Sequence, residues 1–278
     1  MRTRIAPTPS GYLHVGNAFN FLVTAELVRT IGGTLFLRVD DLDQERVRPE
    51  YVEDVFRSLA WLGIRVDEGP SGPEDLQRSW SQQLRMERYG RVVEQVRATG
   101  HLYPCACSRA QREREGSGVH LCRTGEIGST PVGTAWRLKV PDPCPVSWSE
   151  WDGARQVVEL NSAMPDPVML QRGNGRPAYQ VASLVDDMDM GIDHVVRGAD
   201  LIPSTACQWY LALILKRPAF QAIRFHHHPL VTDGTGRKLS KSAGDTSLRS
   251  LREAGRSPDH LKDQAKAYVE AFMRRISG

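Results

Sequence analysis

Apolar positions near the start of the chain change period within a short span. Residues 2–6 read as a short buried strand, and Pro7 and Pro9, one residue apart and followed by Ser10-Gly11, forbid its continuation. Phe19, Leu22, Val23, Leu27, Val28 and Ile31 then recur at three- and four-residue steps, which predicts a helix. Residues 34–40 form a second apolar run after Gly32-Gly33 and end in Asp40-Asp41-Leu42-Asp43. This places carboxylates at the carboxyl end of a strand, where open α/β sheets take their ligands. Pro49 opens a helix carrying Val52, Val55, Phe56, Leu59 and Leu62, and Gly63 closes it. Strand-helix-strand-helix order predicts a parallel sheet with right-handed crossovers. Residues 82–99 predict another amphipathic helix, with Gly100 closing it.

The pattern changes over residues 101–167. A Cys105-Ala106-Cys107 pair leads into a charged run over 109–118, then His120-Leu121-Cys122. Residues 131–145 are proline-rich around one predicted strand, 134–140, and residues 157–160 resemble an edge strand. This segment reads as a small, mainly β insertion. The sheet is expected to resume with a strand at 168–172, a helix at 178–187, a buried strand at 193–198 ending in Arg197, and a helix at 204–215. Residues 222–231 are extended, with Pro229 restricting them to an edge or a loop approach. Asp233-Gly234-Thr235-Gly236 has the composition of a tight turn and presents Arg237-Lys238-Leu239-Ser240-Lys241-Ser242. Leu261, Ala265, Tyr268, Val269, Phe272 and Ile276 share one face of a closing helix. The expected organisation is residues 1–100 and 168–232 as two halves of one α/β domain, 101–167 as the insertion, and 233–278 as loop plus helical tail.

Composition adds little. The 278 residues carry a net charge of +3, which permits a nucleic-acid partner without arguing for one. No apolar run is long enough for a membrane span, and the N-terminus lacks the apolar centre of a signal peptide, so a cytoplasmic protein is expected. Five cysteines in that compartment point to metal binding or buried thiols rather than disulfides. Cys144 and Cys207 read as lone core residues. His226, His227 and His228 are consecutive on an extended segment, so they point to alternate faces and do not make a metal site.

Two stretches carry the candidate chemistry. His14 and Asn17 sit three apart at the start of the first helix, whose free N–H groups and dipole suit a phosphate. Gly16 removes a side chain where a flat ring could lie. The competing interpretation is a helix start with polar caps. Lys238 and Lys241 on a turn, with Ser240 and Ser242, could neutralise charge developing as ATP is attacked at its α-phosphorus, or form an ordinary solvated loop. No Walker sequence or spaced G-x-G-x-x-G is present.

These stretches resemble a known family. Pro7-Thr8-Pro9-Ser10-Gly11 with His14-Val15-Gly16-Asn17 is similar to the first signature of class I aminoacyl-tRNA synthetases, and Lys238-Leu239-Ser240-Lys241-Ser242 to the second. Arg4-x-Ala6-Pro7-x-Pro9-x-Gly11, Arg38-Val39-Asp40-Asp41-x-Asp43, Tyr179 before Val185-Asp186-Asp187, and Val196-Arg197-Gly198-Ala199-Asp200-Leu201 resemble the glutamyl/glutaminyl branch. The Gly198-Ala199-Asp200-Leu201 form resembles the truncated glutamyl-queuosine tRNA(Asp) synthetases. The resemblance implies a Rossmann-type parallel-sheet catalytic domain split by a small inserted module. It implies that ATP, with Mg2+ as counter-ion, and glutamate form glutamyl-adenylate, and that glutamate passes to queuosine in the anticodon loop of tRNA(Asp).

In that scheme His14, Asn17, Lys238 and Lys241 act on the ATP phosphates. Pro7, Ser10, Gly16 and Asp200 complete the ATP site. Arg4, Ala6, Asp40, Tyr179 and Arg197 form the glutamate pocket. A strand-end salt bridge from Arg197 to Asp186 or Asp187 is the structural alternative for that arginine. Asn17 stands where the signature usually has histidine, and Asp40 where bacterial glutamyl enzymes usually have glutamate. The tail beyond Ser242 is short, which sets the expectation of no anticodon-binding domain; a monomer is also expected. Cys105, Cys107 and Cys122 resemble the family's zinc site. Gly118 stands in place of its tyrosine ligand, with His120 as the substitute and His101 as second choice; metal-free thiols are the alternative. Transfer to an amine, peptide or carrier protein, and a non-catalytic tRNA-binding paralogue, remain open as functions.

Overall fold

The computed structural model describes residues 1–108, 111, 121–123, 133–230 and 247–277. In chain order its main elements are β1 (Arg2–Ile5), α1 (Val15–Ile31), β2 (Thr34–Leu37), α2 (Pro49–Leu62), α3 (Met86–Ala98), β3 (Leu102–Cys105), β4 (Ala135–Leu138), β5 (Pro145–Ser149), β6 (Arg155–Glu159), β7 (Val168–Leu170), α4 (Tyr179–Asp189), β8 (His194–Gly198), α5 (Ile202–Ile214), β9 (Arg224–His228), α6 (Leu248–Glu253) and α7 (Asp259–Ser277).

The parallel layer grows outward from β1. β1 and β2 pair in parallel, Arg2 opposite Thr34 through Ile5 opposite Leu37. Backbone bonds continue past the strand ends, from Arg38 N to Ile5 O at 3.0 Å and from Asp40 N to Pro7 O at 2.9 Å. On the far side of β2, Glu68 makes a parallel bridge with Phe36. On the other side of β1, Asp193 N donates to Arg2 O at 3.0 Å, so β8 and β1 start from the same edge. β8 then pairs in parallel with β9, His194 opposite Arg224 through Gly198 opposite His228. The spatial order is Glu68, β2, β1, β8, β9. The chain leaves β1 toward β2 and later returns to the opposite side, so the topological switch point lies between β1 and β8. A crevice at the carboxyl ends of those two strands is the place such sheets offer to a ligand.

Local chemistry explains most boundaries. Pro49 occupies the first turn of α2, and Gly63 ends it in the left-handed region at φ 70°. The predicted helix over 82–99 starts differently. Gln82–Arg85 forms a 3-10 turn before α3, and Ser81 caps it by accepting from Gln83 N. Gln82 is committed to buried carboxylates, described below, and this holds the turn off the regular helix.

Val168–Leu170 corrects a second expectation. It pairs antiparallel with β4, giving a three-stranded sheet β3-β4-β7, and does not extend the parallel layer. β5 and β6 form a separate antiparallel hairpin. Two apolar clusters fill the interior. One joins Ile5, Leu22, Leu37, Val55, Val269 and Phe272, so α7 packs its predicted face on α1. The other joins Tyr89, Leu138, Met169, Val185, Phe220 and Phe225. No helix among the described residues is long and apolar enough to cross a membrane.

Candidate active site at the switch point

The loop after β1 delivers α1 to the crevice. His14 is the N-cap of α1, and its Nδ1 accepts from Gly16 N at 3.1 Å. Asn17 Oδ1 accepts in return from His14 N at 3.1 Å, which completes a capping box. The polar-cap interpretation is therefore present in the structure, and it orients both side chains at the positive end of the helix. Asn17 uses its oxygen here, so its amide nitrogen is the end that can donate to a phosphate. Pro7 is buried, with Ala6 and Ser10 half-buried beside it.

Lys238 and Lys241 lie outside the described residues, as do Ser240 and Ser242. The residues that flank them are both fastened beside α1. At the end of β9, His228 Nε2 meets Asn20 Oδ1 at 3.0 Å. Further along the chain, Ser247 bridges His14, and Leu248 N donates to Leu13 O at 2.8 Å. Arg249 hydrogen-bonds the Tyr12 hydroxyl and lies over its ring.

A buried charge network floors the crevice. Arg4 Nε donates to Asp187 Oδ1 at 2.8 Å, and Arg38 Nη1 donates to the same oxygen at 2.6 Å. Arg38 Nε also pairs with Asp40 Oδ1 at 2.6 Å. Gln82 Nε2 donates to Asp186 Oδ2 at 2.9 Å, and Arg85 Nε and the Tyr89 hydroxyl converge on its Oδ1 at 2.8 Å. Burial alone would raise the Asp187 carboxyl, but Arg4 and Arg38 overcome it and hold it below its ordinary value. For Asp40 burial wins over Arg38, and its pKa is raised.

Arg197 stands apart from this network. It is 2% exposed at the end of β8, and no ion pair to Asp186 or Asp187 forms. Asp187 is taken by Arg4 and Arg38, and Asp186 by Arg85. The guanidinium rests over the Phe225 ring, 5.1 Å from its centre, and Nη2 donates to Gln208 Oε1 at 2.9 Å. Nε and Nη1 have no partner among the described residues. Burial lowers this arginine to about 10, so it remains a cation at neutral pH. An unpaired buried guanidinium costs on the order of several kcal/mol, and a carboxylate is the group that would offset it.

Tyr179 is the first residue of α4 and is 36% exposed, and its phenol is close enough to influence Arg197. Asp200 follows β8 in the next turn; a Cβ on Gly198 would lie 2.6 Å from its Oδ1, so glycine there admits the carboxylate. Two partners were not legible as such in the sequence. Gln208 is a long polar side chain on the buried side of α5, one turn beyond Ser204 and Thr205, and that interruption of the apolar face was the available signal. Glu150, 7% exposed, joins the inserted hairpin to β9: Oε1 meets His227 Nδ1 at 2.6 Å and accepts from Trp148 Nε1 at 2.8 Å. His227 Nε2 faces Thr205 Oγ1 at 2.7 Å. Burial lowers the His227 pKa, so the ring is neutral, with Glu150 fixing the proton on Nδ1.

Outside the crevice, the Sγ atoms of Cys105, Cys107 and Cys122 lie within 4.8 Å of one another, with Cys107 and Cys122 at 3.5 Å. Thiolates on a tetrahedral zinc would be about 3.8 Å apart from Zn–S bonds of about 2.3 Å, so the three sulfurs fit three corners. His120 lies outside the described residues. His101, the second choice, is not among the residues whose ligand atoms cluster there; its Nδ1 bonds Thr99 Oγ1 at 2.8 Å.

Residues 1–264 match the family model described as tRNA synthetases class I (E and Q), catalytic domain. The chain is 38% identical over 274 residues to glutamate–tRNA ligase 2 of Acidiphilium cryptum, with 92% of this chain covered. It spans only 58% of that relative's length. It is 34% identical over 282 residues to glutamyl-Q tRNA(Asp) synthetase of Nitratidesulfovibrio vulgaris, covering 92% of this chain and 82% of the relative. The crystal structure of glutamate-tRNA synthetase from Elizabethkingia anophelis superposes with a TM-score of 0.71 at 26% identity, over 92% of this chain and 54% of that one. The chain belongs to the class I tRNA synthetases of the E and Q branch, and carries their catalytic-domain fold.

Proposed function

We propose that this protein activates glutamate with ATP to glutamyl-adenylate and transfers glutamate to queuosine in the anticodon loop of tRNA(Asp). The observation that carries the amino-acid assignment is Arg197, a buried cation with two undirected donors at the switch point. A carboxylate side chain brings it both negative charge and acceptor oxygens; glutamine's carboxamide brings no negative charge to it, so glutamine is rejected. Arg4 and Ala6 line the same pocket, Tyr179 closes it, and Asp40 offers negative charge to the substrate ammonium. Pro7, Ser10, Gly16 and Asp200 serve the nucleotide. His14 and Asn17, at the positive end of α1, meet its phosphates, with Lys238 and Lys241 on the pyrophosphate side. Mg2+ is the counter-ion of ATP, and zinc, where bound by Cys105, Cys107, Cys122 and His120, is structural.

The acceptor rests on likeness. Gly198-Ala199-Asp200-Leu201 follows the pattern of the glutamyl-queuosine enzymes, and relatives bearing that name match at 34% and 39% identity. Incubation with labelled glutamate, ATP and tRNA with or without queuosine tests the whole reading. Label confined to queuosine-containing tRNA(Asp) is the expected result. Equal labelling of both pools, or of neither, overturns the acceptor, and absence of glutamate-dependent pyrophosphate exchange overturns the activation step.

A further inference from the structure

Among the described residues Arg197 is held by one polar group, and that group is neutral. Gln208 is 0% exposed in the interior of α5. Its Oε1 accepts from Arg197 Nη2 at 2.9 Å, and its Nε2 has no partner among the described residues. The orientation of the amide follows from its neighbour, because turning it over would set two donors against each other. The ring of Phe225, over which the guanidinium rests, is itself stacked on His227 at an interplanar angle of 7°. One end of the guanidinium is therefore fixed by an uncharged acceptor and one face by an aromatic surface, while Nε and Nη1 are left undirected. An acidic residue at position 208 would hold Nη2 equally well but would cancel the charge. Asp187, the nearby acid, is already shared by Arg4 and Arg38.

We propose that Gln208 is a specificity-determining positioning residue: it anchors Arg197 without neutralising it, so that the pocket requires a carboxylate side chain. This rests on glutamate being the substrate. The test is ATP–pyrophosphate exchange with glutamate and with glutamine, on wild type, Gln208→Glu and Gln208→Met, with thermal unfolding in parallel. Gln208→Glu should raise KM for glutamate roughly tenfold or more, keep KM for ATP within about twofold, and narrow the preference for glutamate over glutamine. Gln208→Met removes the anchor and keeps the charge. It should raise KM for glutamate by a smaller factor and leave the preference in place. If Gln208→Glu does not fold, Gln208→Met decides alone: a rise in KM for glutamate without one for ATP supports the inference, and equal changes overturn it. An active Gln208→Glu with unchanged KM for glutamate and unchanged preference overturns the role of Gln208 while the glutamate assignment stands. A folded wild type that activates glutamine and not glutamate overturns the substrate assignment, and this inference with it.

Discussion

Arg4 and Asp187 are joined in the protein interior, Nε to Oδ1 at 2.8 Å, across a separation of 183 residues in sequence. The bond ties β1 to α4, and Arg38 from the end of β2 completes it on the same oxygen. Removing the carboxylate leaves two buried guanidinium groups short of their partner. Asp187→Ala should therefore cost about 3–5 kcal/mol of unfolding free energy, measured by denaturant melts. The pH dependence follows in sign. Asp187 is held below its ordinary value of 3.8, so its stabilisation is present above that value and is lost as pH falls through the lower folded value. Asp40 and Asp41 are raised mainly by burial, so their contributions favour the fold at low pH and fade as pH rises through their folded values. Acid titration of Asp187→Ala should lack the Asp187 limb while keeping the opposite one.

How far the sequence announces this arrangement depends on whether the signal is local. Pro49 and Gly63 bracket α2 because each acts through its own backbone conformation. The two-proline loop and the three- and four-residue spacing place α1 for the same reason. Val168–Leu170 was legible as a strand, but its partner was not, because nothing within three residues states which edge it will meet. The candidate site shows the same division. Arg4, Asp40 and Arg197 are readable as charges at strand ends. That Asp187 would be shared by Arg4 and Arg38, leaving Arg197 to Gln208, is set by the three-dimensional meeting of β1, β2, β8, α4 and α5.

Arg197 yields the most direct functional prediction. Arg197→Ala should lower glutamate-dependent pyrophosphate exchange by roughly a hundredfold or more in kcat/KM, with KM for ATP little changed. Arg197→Lys should recover little of it. An ammonium is a point charge and cannot reproduce the planar spread of donors that the guanidinium offers. Equal losses in both KM values would mean that Arg197 is structural.

The cysteine cluster predicts a metal whose removal is felt away from the chemistry. Cys105 ends β3, and Cys107 and Cys122 close the cluster beyond the sheet that β3 shares with β4 and β7. The purified protein should carry about one zinc per chain by elemental analysis. Chelation, or Cys107→Ser, should speed proteolysis within residues 101–140 and leave glutamate-dependent exchange within a fewfold of wild type. A metal-free protein with unchanged proteolysis would mark the cluster as inert thiols.

The last prediction concerns the join between β9 and the closing helix. His226 is 3% exposed; its ring lies 4.1 Å from that of Phe272, and its Nε2 is 2.9 Å from the Tyr268 hydroxyl. Burial, reinforced by the neighbouring His228, lowers the His226 pKa to about 4, so the ring is neutral in the fold, with its Nε2 paired to the Tyr268 hydroxyl. The unfolded chain, with a histidine near 6.5, binds the proton first. Stability is therefore full above that value and falls as pH drops from 6.5 toward 4, by on the order of 3 kcal/mol at most for this group. His226→Gln keeps a polar partner for Tyr268 without a titrating ring. Its unfolding free energy should be lower than wild type at pH 7.5, and its decline between pH 6.5 and 4 should be visibly shallower. Parallel curves for the two proteins over that window would show that His226 does not carry the acid sensitivity of the α7 packing.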